Sequence, residues 1–165
     1  MAVLTNDAQW PKKSPPGGLF TAEVRLAGYT NFGGGSTAHT VYHGSIVVCD
    51  VSDTDGYFRA APLTSSVNAA SGDIFGGVSA ERVSVTSDDT ADGSKLCTVY
   101  RNGVWGFAKG SIAITDVGAP AYASDDQTIT TTSTNNFWVG DIVDVDSTYV
   151  WVDITRAFMR PTSAA

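Results

Sequence analysis

Residues 103–154 read GVWGFAKGSIAITDVGAPAYASDDQTITTTSTNNFWVGDIVDVDSTYVWVDI, and the way this stretch is punctuated decides the fold of the whole chain. Short apolar and threonine-rich runs, each about the length of a strand, alternate with Gly, Pro, Asp and Asn, which is the pattern of a compact antiparallel unit. The stretch carries three of the four tryptophans, Trp105, Trp138 and Trp151, and no His, Cys or Glu. So much core-forming material with so few catalytic side chains points to a scaffold.

Three hairpins follow from the pattern. In KLCTVYRNGVWGFAK (95–109), Asn102-Gly103 between alternating segments predicts a two-residue type I′ turn, because both turn positions need positive φ. That register would set Tyr100 opposite Trp105 and Thr98 opposite Phe107. A second hairpin is predicted where 121–123 and 128–132 flank Ser124-Asp125-Asp126. A third joins 139–145 to 149–154 through Asp146-Ser147-Thr148, with Val150, Val152 and Ile154 on the core face and Tyr149, Trp151 and Asp153 on the other.

Upstream, GSIVVCDV (44–51) is a continuous apolar run, as expected of a strand buried on both faces. VSDTDGYF (51–58) reads as a turn with Asp53, Asp55 and Gly56 at its tip. Residues 74–78 and 82–86 read as short strands, and SDDTADGS (87–94) as an exposed loop. Cys49 and Cys97 each lie in a Val-containing strand pattern and are expected to be buried free thiols.

Residues 1–43 differ in character. NDAQWPKKSPPGG (6–18), with three prolines and paired glycines, cannot continue a helix or form a central strand. LFTAEVRLAGYT (19–30) allows one short strand, and NFGGGS (31–36) reads as a flexible link. The expected organisation is an extended amino-terminal arm and linker (1–43), a β-barrel or sandwich body (44–154) and a loose tail (155–165). An arm of this kind gains burial for Trp10, Phe20 and Phe32 either on its own body or across a neighbouring molecule.

Composition sets the limits. A chain of 165 residues with 42% apolar content suits one domain with a sizeable core. Seventeen glycines and abundant Thr, Ser, Val and Asp favour strands and turns over helices, so the expected class is all-β. The net charge of −7 argues against a nucleic-acid partner, which needs clustered Lys and Arg. The charge is also uneven, +1 over residues 1–40 and −8 over 41–165. MAVLTNDAQWPKK (1–13) lacks the regions of a secretory signal, and no run approaches a membrane span.

Possible reaction chemistry is thin. DVSDTDG (50–56) lacks the spacing and terminal Glu of a calcium-binding helix–loop–helix. Asp125, Asp126, Asp141, Asp144 and Asp146 are turn or strand-end aspartates, and a glycosidase pair among them is the weaker reading. His39 and His43 lie four apart without a helix or a Cys to complete a zinc site, and read as surface or interface residues. Ser79 is not in a nucleophile elbow, and Gly33-Gly34-Gly35 lacks the Lys of a phosphate loop.

GVWGF, then DVGAPAYASDDQTITTT, then WVGDIVDVD and YVWVDI, in that order and preceded by GSIVVCDV and FGGVSAERV, resemble the capsid decoration (cement) proteins of tailed bacteriophages. The resemblance covers roughly residues 44–154. It implies a β-barrel-like body without enzymatic activity or cofactor, assembled in the host cytoplasm and bound to the outer capsid surface of the virion. Its partners would be the major capsid protein, neighbouring decoration subunits and copies of itself in a homotrimer, with no membrane or nucleic acid. On this reading Trp10, Lys12, Lys13, Phe20 and Phe32 are arm contacts, and Trp138 and Trp151 are trimer or shell contacts. The alternatives are a carbohydrate-binding or head-fibre base module using Trp and Tyr as sugar platforms, or a glycan-cleaving enzyme.

Overall fold

The computed structural model describes residues 4–14, 17–29, 36–49, 56–61 and 74–157. Phe32, most of the 31–36 link, the 50–55 portion of the acidic turn and residues 158–165 of the tail lie outside the described residues.

The protein is all-β. Among the described residues there are thirteen strands: β1 (Lys12–Lys13), β2 (Thr21–Arg25), β3 (His39–Val41), β4 (Ile46–Cys49), β5 (Phe58–Ala60), β6 (Ile74–Ser79), β7 (Val83–Val85), β8 (Leu96–Tyr100), β9 (Val104–Ala108), β10 (Pro120–Ala123), β11 (Ile129–Thr130), β12 (Phe137–Val145) and β13 (Tyr149–Asp153). They form a six-stranded sheet in the order β1-β9-β13-β12-β10-β11, a five-stranded sheet in the order β2-β8-β6-β4-β5, and a β3-β7 pair. Neighbours within every sheet run antiparallel.

The five-stranded sheet is the middle layer, and β4 shows why. Ile46 and Val48 enter the main core beside Phe107, Phe137, Val150 and Val152 of the six-stranded sheet. Val47, on the opposite face, joins Val24, Val41, Val85 and Val99 in a second core beneath β3-β7. Ile46, Val47 and Val48 are all fully buried, so the continuous apolar run is a strand covered on both faces as its composition required. Burial of a side chain the size of Phe107 or Ile142 contributes about 1.5–3 kcal/mol.

The β10-β11 and β12-β13 hairpins form as expected, with Ala123 opposite Ile129 and Val145 opposite Val150. Asp146 builds the second turn by accepting the N–H groups of Thr148 and Tyr149 at 2.7 Å each. The Asn102-Gly103 hairpin does not form. β8 pairs with β2 and β6 in one sheet, whereas β9 pairs with β1 and β13 in the other. Gly103 has φ 99°, but Asn102 is not left-handed as a type I′ turn requires. The dipeptide is a corner where the chain passes between layers, and Tyr100 still meets Trp105 across it with ring centres 5.2 Å apart.

Candidate interaction surface

The amino-terminal segment lies along the body at several points. Leu4 N–H donates to Asp126 Oδ1 at 2.8 Å, and Ala8 N–H donates to the His43 carbonyl at 2.8 Å. The Trp10 indole N–H donates to the Gly44 carbonyl at 3.0 Å, and its ring packs 5.9 Å from that of Phe107. Lys12 and Lys13 form β1 at the edge of the six-stranded sheet, after Pro11 accepts the Gly106 N–H at 2.8 Å. Of the expected arm contacts, Trp10, Lys12 and Lys13 thus make contacts within the chain, the Lys12 ammonium standing 4.7 Å from the Tyr100 ring centre and Lys13 pairing with Val104. Phe20 is 45% exposed.

The outer face of the six-stranded sheet carries the side chains that alternate away from the core. Trp151 lies against Gly106, where any Cβ would sit 3.4 Å from its ring. Its indole N–H donates to Asp146 Oδ2 at 2.8 Å, Tyr149 meets it edge-on at 6.1 Å, and the Lys13 ammonium lies 4.5 Å from its ring centre. Trp138 stands opposite Tyr122 across β12 and β10, and both are half-buried. Asp141 and Asp153 are cross-strand partners of like charge, an unfavourable placement, and Arg156 lies 3.6 Å from Asp141. The result is a face of fixed rings among carboxylates, suited to contact by another molecule.

Asp125 and Asp126, in the turn of the β10-β11 hairpin, are fully buried. Asp125 Oδ1 accepts the Gln127 and Thr128 N–H groups. Asp126 accepts from Leu4 and from Ser45 Oγ at 3.0 Å, tying the amino-terminal segment and the residue before β4 to the β10-β11 hairpin. Burial pushes its carboxyl up to about 6, opposed by the Leu4 and Ser45 hydrogen bonds and reinforced by the charge of Asp125. Neither Asp126 nor Ser45 stood out in the sequence as a tie point, since their contacts span 122 and 81 positions.

His39, expected at the surface or an interface, is instead buried at 5% exposure, and burial lowers its pKa. It borders a groove of about 480 Å³ between Leu4 and the β3-β7 pair, with Tyr42, Ser84 and Thr86. His43 turns to the Ala8 carbonyl at 2.8 Å. Among the described residues no three His, Cys, Asp or Glu side chains converge as a metal site would require. Cys49 and Cys97 are free and buried. Ser79 is 1% exposed, with its hydroxyl donating to the Glu81 carbonyl.

Comparison of the chain with protein-family models, curated proteins and solved structures finds no match in any of the three.

Proposed function

We propose that the protein is a structural subunit of a phage head, a decoration protein that binds the outer capsid surface as a homotrimer and stabilises the shell by multivalent clamping. The observation that supports this reading is the outer face of the six-stranded sheet, where Tyr149, Trp151, Tyr122 and Trp138 stand among Asp141, Asp144, Asp146 and Asp153 on a scaffold buried behind them. Rings fixed by hydrogen bonds and cross-strand neighbours lose little freedom on contact, which favours binding by a preformed face. Linking three such faces raises retention far above that of one contact.

The carbohydrate-binding reading is less favoured, because the Lys13 ammonium stands over the Trp151 ring, 4.5 Å from its centre, where a sugar would stack. Co-sedimentation of the purified protein with heads of the encoding phage assembled without it tests the proposal. Saturable binding is expected. Absence of binding, with uptake of host glycans instead, would replace this reading by the carbohydrate one.

A further inference from the structure

Among the described residues the large exposed apolar side chains are Phe20, Ile74, Leu96, Ile114, Val117 and Val143. Three of these six gather at one place. Ile114 and Val117 belong to the 3-10 turn Ile114–Asp116 and its end, and are 61% and 44% exposed. Val143 is the extra residue of a β-bulge: Ile142 faces Val152 and Asp144 faces Trp151, which leaves Val143 outside the ladder at 44% exposure. Hydrogen bonds from Gly118 N–H to the Ile142 carbonyl and from Ile142 N–H to the Ala119 carbonyl hold the turn beside the bulge. Scattered apolar residues are normal on a surface, whereas a contiguous group marks a contact site.

The turn is held by its own bonds. Asp116 Oδ2 accepts the Ala113 N–H at 2.8 Å, the Asp116 N–H donates to the Ala113 carbonyl at 2.9 Å, and the Val117 N–H donates to the Ile114 carbonyl. The ridge is therefore presented already ordered, which lowers the entropy lost on docking. Asp116 and the exposed Asp144 flank it, and Asp144 continues across the strand to Trp151.

We infer that the ridge of Ile114, Val117 and Val143 is where this protein seats on its shell partner, and that the partner offers an apolar hollow bordered by Lys or Arg. The inference rests on the decoration reading and gives that contact a position and a chemistry. Charge decides the occupant. A second copy, itself at net charge −7, would bring carboxylates toward Asp116 and Asp144, a like-charge juxtaposition that opposes docking. A cationic border pairs with those carboxylates and speeds encounter.

The test uses full-length protein and heads of the encoding phage assembled without it, at low and high salt. Ile114→Ser/Val143→Ser should keep the wild-type melting temperature and lose roughly tenfold or more in affinity. Ile114→Ser alone, outside any strand, replaces the pair if the double variant melts early. Asp116→Asn/Asp144→Asn should bind more weakly at low salt and respond less to added salt. Wild-type affinity in the serine variant overturns the ridge alone, as does a serine variant that loses self-association while binding heads normally. Heads that fail to take up wild-type protein overturn the decoration reading and the ridge with it.

Discussion

Asn102 and Phe20 are 82 positions apart and are joined by a 2.8 Å hydrogen bond from the Phe20 N–H to the Asn102 side-chain oxygen. The same amide donates to the Gly18 carbonyl at 3.0 Å, and the Asn102 carbonyl accepts the Trp105 indole N–H at 3.1 Å. Asn102 thus fastens the segment before β2 to the corner between the two large sheets. Asn102→Ala strands the Phe20 N–H and Gly18 carbonyl, and should cost about 1–3 kcal/mol. Chemical denaturation measures this, and an unchanged midpoint would show that the tie is dispensable.

Gly103 sits beside it at φ 99°, and a Cβ there would lie 2.7 Å from Leu19 Cδ2. Gly103→Val therefore imposes left-handed backbone strain and makes Leu19 shift, at a cost of about 1–3 kcal/mol. Thermal melting should show a clear drop for Val and a smaller one for Ala.

Asp126 gives stability a pH dependence of defined sign. Its folded pKa of about 6 lies above the ordinary 3.8. The folded protein keeps the proton where the unfolded chain has released it, so this contribution is full below about pH 4 and is lost as pH rises through about 6. Two pH units correspond to on the order of 3 kcal/mol. Asp89 and Asp146, held below the ordinary range chiefly by hydrogen bonds from Thr86 and from Tyr149, act in the opposite sense at lower pH. The difference between wild type and Asp126→Asn isolates the effect: the variant's melting temperature should fall less between pH 4 and 6.5. Parallel profiles would refute it.

The Cys97 thiol is buried and pushed up to about 11, first by desolvation. Together with buried Cys49 it should resist a thiol reagent at pH 8 until the protein unfolds. Rapid labelling of either cysteine in folded protein would contradict the packing.

Removing residues 1–13 deletes β1, the Trp10 contacts and the Leu4–Asp126 bond. The truncated protein should melt several degrees lower even without a partner. A truncation that leaves melting unchanged but weakens head binding would return the segment to an arm role.

What the sequence made legible was local. Strand-length punctuation identified the all-β class, and the Asp-rich turns of the β10-β11 and β12-β13 hairpins could be read because each turn supplies its own hydrogen bonds, as Asp125 and Asp146 do. Asn102-Gly103 was misread because the residue pair that favours a tight hairpin also serves a corner, and the choice is made by Phe20 and Gly18 far away in sequence. Asp126 looked like a turn residue because its burial depends on Leu4 and Ser45. Val143 blended into an apolar strand, since a bulge leaves no mark in the alternation until the partner strand is known. The outward position of Trp151 was readable from parity alone, but its covering by Lys13 was not.

Imaging and heating heads assembled without this protein, before and after its addition, bears most directly on the central claim. Added density at fixed lattice positions, with the 114–117 turn against the shell, and a higher temperature of head disruption are expected. Bare heads that disrupt at the same temperature would contradict it.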